Sequence, residues 1–205
     1  MKIFKNGLIT GLILQLAIGP VFFFIINLTL QKTIFDGLVG ALAVALVDFS
    51  YIGLAILGIG KILEKKKVKK IFGVVSSMVL IIFGLIIIKN VINTSMIVNM
   101  EINSTSLLSS FISVLLLTVS NPLTIILYTG ILATKGIESS YSKKELFVFG
   151  SGVGLATLIF MSTSVLLFFY FKETVPTILI QILNVVVGCL LIGYGGIRVI
   201  KILRQ

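Results

Sequence analysis

Residues 7–30 read GLITGLILQLAIGPVFFFIINLTL, a run without a single charge and with a proline near its middle. A helix that crosses a hydrocarbon core of about 30 Å needs about 20 mostly apolar residues, so this run is long enough to span. Barrel strands would instead show alternation over about 10 residues, and runs such as LIIFGLIII (80–88) do not alternate. Working outward, five further segments pass the same test: about 37–60, 71–89, 107–132, 146–171 and 177–199. The expectation is an all-α integral membrane protein with six transmembrane helices in one domain over 1–205. Composition agrees: 58% of residues are hydrophobic and 12% charged, against about 45–50% and about 25% in soluble domains. Mean hydropathy is +1.20. Lys2 and Lys5 ahead of an apolar run imitate a signal peptide. Pro20 follows Ala17-Ile18-Gly19 where cleavage would fall, so no cleavage is expected.

The net charge of +10 comes from short lysine runs between the apolar segments, without interleaved aromatic residues. That pattern argues against nucleic-acid binding and for cations that set orientation at a bilayer. With the amino terminus inside, Lys2, Lys5, the 61–70 run, Lys135, Lys143, Lys144, Arg198, Lys201 and Arg204 fall on one side. Lys32, Lys89 and Lys172 fall on the other. Positive loops stay in the cytoplasm, so both termini are expected there, in a multi-pass protein of the inner (plasma) membrane. The chain has one cysteine, Cys189, and no histidine. Internal disulfides, paired-thiol relays, His-based metal sites and Ser-His-Asp triads are thereby excluded, and neither an enzyme nor a cofactor is expected. Gly150-Ser151-Gly152-Val153-Gly154 imitates a dinucleotide fingerprint, but no strand precedes it and close helix packing explains it better.

The polar stretch 90–106 divides the chain into a first repeat of about 1–90 and a second of about 107–205. With three helices each, the halves start on opposite sides, so a repeat has to be inverted in the membrane. LAIGPVFFFII in helix 1 aligns with TVSNPLTIILY in helix 4, which places Gly19-Pro20 opposite Asn121-Pro122. Phe83-Gly84 similarly matches Tyr194-Gly195. The expectation is an inverted 3+3 repeat with helices 1 and 4 interrupted at Pro20 and Pro122.

A proline inside a helix removes a donor and displaces the carbonyl four residues earlier. In lipid such breaks are tolerated where they line a cavity, and a matching pair points to a transport site. Asp48 is the second signal. The other six acids lie in or beside loops, whereas Asp48 falls within helix 2 and no lysine or arginine occupies the middle of another helix. It is therefore either protonated at rest or facing water, a cation or a substrate, which suits a proton-coupling group. Gln15 lies about a turn before the first break, and Thr118, Ser120 and Asn121 surround the second. Asn27, Tyr51, Tyr128, Thr157 and Asn184 read as interhelical hydrogen bonding.

These motifs, with GALAVALVDFSYIGLAILGIGKIL in helix 2 and VVVGCLLIGYGGIRVIKIL in helix 6, resemble the LysE/RhtB amino-acid exporters over essentially the whole chain. Gly19-Pro20, Asp48 and Asn121-Pro122 match that family's characteristic positions. The resemblance implies proton- or ion-coupled export of amino acids or related metabolites by alternating access. The expected site comprises Gln15, Gly19, Pro20, Asp48, Ser120, Asn121 and Pro122, with Asp48 exchanging the proton. Val21-Phe22-Phe23, where polar residues are usual, implies a more apolar pocket. The expected partners are an amino-acid-like small molecule and the lipid bilayer, with a homodimer left open. A divalent-metal exporter of similar layout and a non-transport membrane scaffold are the competing readings.

Overall fold

The computed structural model of the chain describes residues 1–16, 19–58, 66–94, 106–174 and 176–204. Expectations placed on Ile18, Lys61, Lys65 and most of the 90–106 stretch lie outside the described residues. Among the described residues every regular element is helical. They are α1 (Lys2–Gln15), α2 (Pro20–Gln31), α3 (Ile34–Ile56), α4 (Lys66–Thr94), α5 (Leu107–Val119), α6 (Pro122–Glu138), α7 (Lys143–Tyr170) and α8 (Thr177–Leu203), with a 3₁₀ turn at Lys172–Thr174.

Local chemistry starts two of the long helices. The Thr33 side chain accepts from the Asp36 N–H and Asp36 accepts from the Thr33 N–H, so α3 opens on a capping box; Ser142 and Glu145 do the same for α7. Among the described residues three helices are long and apolar enough to cross a membrane: Ile34–Ile56, Lys143–Tyr170 and Gln181–Ile202. The count reaches five if the bent pairs α1–α2 and α5–α6 each form one span. The apolar part of α4, Gly73–Lys89, is shorter. Leu166, Leu167, Ile178 and Ile182 are exposed on the outside of the bundle, as side chains facing lipid would be.

Both expected interruptions occur, and in a definite form: each proline opens a new helix rather than kinking an old one. α1 and α2 meet at 81°, and Leu107–Val119 meets Thr124–Ile137 at 60°. Gly19 is extended (φ −118°, ψ 179°) and Pro20 takes the first helical turn of α2, where its missing N–H costs nothing. The helices that leave the two breaks open on matching turns. The Phe22 N–H donates to Gly19 O at 3.1 Å, and the Thr124 N–H to Asn121 O at 3.3 Å. On the upstream side, the Leu16 N–H donates to Ile13 O at 3.2 Å and the Asn121 N–H to Thr118 O at 3.0 Å.

Small residues set the packing directions. A Cβ on Gly7 would sit 2.0 Å from the Phe149 carbonyl oxygen, one on Gly11 2.8 Å from Val153 O, and one on Gly152 2.4 Å from Phe4 O; α1 and α7 therefore run parallel at backbone contact. The fingerprint-like glycines 150–154 thus serve close packing. α4 and α8 run antiparallel, with Gly84 against Gly188 and Ser77 against Gly195. α3 runs antiparallel to α7, with Gly37 beside Val165, Asp48 beside Thr157 and Ile52 beside Gly150. It runs parallel to α5, where Asp36 meets Ser110 and Gly40 meets Val114.

Candidate functional site between the two breaks

A cavity of about 500 Å³ lies where the two interruptions face α3. Small-molecule sites run from about 300 to 1,000 Å³, so its size suits a metabolite. α1 contributes Leu14 and Gln15 at its end, and the start of α2 contributes Gly19, Pro20, Val21 and Phe22. α3 supplies Val44 and Asp48, one turn apart on the same face. Thr118 and Asn121 come from the second break, Thr124 and Tyr128 from one face of α6, and Met161 from α7.

Asp48 is 3% exposed and held by hydroxyl groups. The Thr157 hydroxyl donates to its Oδ2 at 2.7 Å, and Gln15 Nε2 donates to the Thr157 oxygen at 2.7 Å. This relay links the end of α1, through α7, to the middle of α3. The Tyr128 hydroxyl interacts with both Asp48 and Thr157. One turn along α3, Tyr51 donates to the Val119 carbonyl at 2.9 Å, giving a partner to a group at the end of α5 that the break would otherwise leave open. No side chain caps the N-terminus of α2 at Gly19. The arrangement can therefore offer amide donors at a positive helix end together with a carboxyl group, hydroxyls and an apolar wall.

Of the residues singled out from sequence, Gln15, Gly19, Pro20, Asp48 and Asn121 share this one wall. Ser120 does not. It is buried at 8% exposure, and its N–H is spent on Leu116 O at 3.0 Å. Pro122 opens α6, and its side chain lies outside the described residues. The sequence reading assigned Tyr128 and Thr157 to helix packing, whereas the structure brings both to Asp48. Their only advance signal is polarity within an apolar segment. Val21 and Phe22 make one side of the cavity apolar, in line with the departure noted at those positions. Among the described residues no three His, Cys, Asp or Glu side chains come together in a way that could hold a metal ion.

No curated protein and no solved structure matches the chain. A family model, LysE type translocator, matches residues 12–201. Taken with the apolar helices and the cavity between two breaks, that match places the chain in the LysE type translocator family, as a multi-pass membrane transport protein of the exporter class.

Proposed function

We propose that this protein exports an amino acid or a related small metabolite across the bacterial inner membrane by alternating access, driven by a proton or ion gradient. The observation that carries this reading is the position of Asp48, a buried carboxyl on the wall of a cavity formed by both helix breaks. The cargo carboxylate lies against the N-terminal end of α2 or α6, where the helix dipole favours negative charge. Asp48 receives the ammonium group or exchanges a proton with it, and the Gln15–Thr157 relay holds the carboxyl in place.

The proposed architecture is six spans in two inverted repeats, with both termini in the cytoplasm. Pair contacts support it. Exchanging α1–α4 for α5–α8 in order maps α1 beside α7 onto α5 beside α3, and maps the α3–α7 and α4–α8 pairs onto themselves. The parallel and antiparallel directions of these pairs are those that six alternating spans require. In proteoliposomes, Asp48→Asn protein is expected to lose gradient-driven transport while still folding. Uptake at the wild-type rate into inverted vesicles would remove Asp48 from the mechanism.

A further inference from the structure

A second cavity, of about 330 Å³, lies between α2, α4, α5 and α8 and shares no lining residue with the first. α2 connects the two. Its start, Pro20 to Phe22, lines the first, and its later turns, from Phe24 to Gln31, line the second, with Lys32 just past its end. Asn27, Gln31 and Asn184 meet here inside segments that are otherwise apolar. Gln31 Nε2 donates to the side-chain oxygens of Asn27 and Asn184, which leaves the NH₂ groups of both asparagines as donors. Asn27 is 5% and Asn184 9% exposed, so these donors are largely withdrawn from bulk solvent. Lys32 adds an ammonium group. It donates to Ser110 Oγ at 3.2 Å, while Ser110 gives its own proton to Asp36 Oδ1 at 2.6 Å. One ammonium–hydroxyl bond leaves Lys32 two further N–H donors. Phe24 and Phe83, edge to face at 5.9 Å between ring centres, form the opposite wall.

A site with an ammonium group that Asp36 balances only in part, two amide donors and an aromatic wall suits a carboxylate carried on a small apolar body. Helix glue alone would satisfy the amides without an adjoining cavity. We propose that this cavity is a second cargo subsite, which takes the carboxylate on Lys32, Asn27 and Asn184 and the apolar part against Phe24 and Phe83. The proposal rests on the reading of the chain as a carrier of amino-acid-like cargo. It makes the path a two-station one, with α2 as the rail between the stations.

The test is saturation binding of tritiated L-leucine, L-methionine and L-phenylalanine, each in turn, to the full chain in phosphatidylcholine nanodiscs. At least one of them is expected to bind at two per chain. Lys32→Gln should weaken one site at least tenfold, and Ser113→Phe, which fills the cavity without touching the Lys32 bonds, should remove the same site. Asp48→Asn should remove the other. Leucinamide, which lacks the carboxylate, should fail to compete at the Lys32 site. One ligand per chain, unchanged by Lys32→Gln and Ser113→Phe but lost in Asp48→Asn, overturns the second subsite and leaves the first. One ligand per chain, lost in Lys32→Gln and Ser113→Phe but kept in Asp48→Asn, supports the second subsite and overturns the role of Asp48. Absence of binding overturns both. Phosphatidylglycerol retained by the wild type and lost with Lys32→Gln, without amino-acid binding, makes the occupant a lipid and also overturns the proposal.

Discussion

Asp48 and Thr157 are separated by 109 positions in the chain and by 2.7 Å in space. Interhelical hydrogen bonds of this kind average about 0.6 kcal/mol in membranes, so Thr157→Val should lower stability by no more than about 1 kcal/mol. Its effect on transport should be much larger, because the Asp48 carboxyl loses one of its hydroxyl donors and Gln15 loses its acceptor. A thermal melt beside a proteoliposome assay separates the two effects, and equal losses in both would make Thr157 a packing residue. Tyr51 presents the opposite balance. Tyr51→Phe leaves the Val119 carbonyl without its donor, an omission worth about 1–3 kcal/mol at a buried group. A lowered melting midpoint with cargo affinity retained is the expected result. Residues of this sort are hard to find from sequence, because the partner lies on a helix that only the folded chain brings near. Asp48 itself was legible, since an acid inside an apolar segment is conspicuous whatever surrounds it. Ser120 lies beside a break in sequence, yet it is not among the residues that line the cavity.

At the scale of elements, the breaks at Gly19-Pro20 and Asn121-Pro122 were legible because proline acts on its own backbone. Helix limits were less so. α3 starts at Ile34 rather than near 37, since the Thr33–Asp36 box nucleates it ahead of the strongly apolar stretch. α4 already includes Lys66, ahead of the start expected near 71, because hydropathy marks where lipid begins and a helix can continue past that point into its lysines. Thr33→Ala removes the cap and should cost about 0.5–2 kcal/mol. Glycine substitutions separate contact from propensity. Gly7→Ala places a Cβ 2.0 Å from a backbone oxygen of α7 and should sharply reduce the yield of folded protein. Gly193→Ala meets nothing within 4 Å and should be neutral or stabilising by up to about 1 kcal/mol. Size-exclusion profiles and melting midpoints of the two variants check this contrast.

For the whole molecule, the proposed six-span arrangement draws on two independent sources, the lysine distribution and the packing directions. Charge in the loops places residues 135–144 and both termini together. The parallel α1–α7 and antiparallel α4–α8 contacts agree with that proposed alternation. In a Cys189→Ser background, a membrane-impermeant maleimide should label Thr174→Cys on intact cells and Ser139→Cys only after permeabilisation. Both positions are exposed in the structure. The reverse pattern would invert the molecule in its membrane. The proposed pseudo-symmetry was only faintly legible, because the helix pairs that support it, α1 beside α7 and α5 beside α3, form only in the folded chain. The contact at Gly7 also has a mechanical meaning. With the α1 backbone resting directly on that of α7, α1 cannot slide or rotate without carrying α7, whereas α2 is turned 81° away. The two parts of this bent pair are therefore held in different ways, α1 by backbone resting on α7 and α2 by buried side chains packed against α3, α7 and α8.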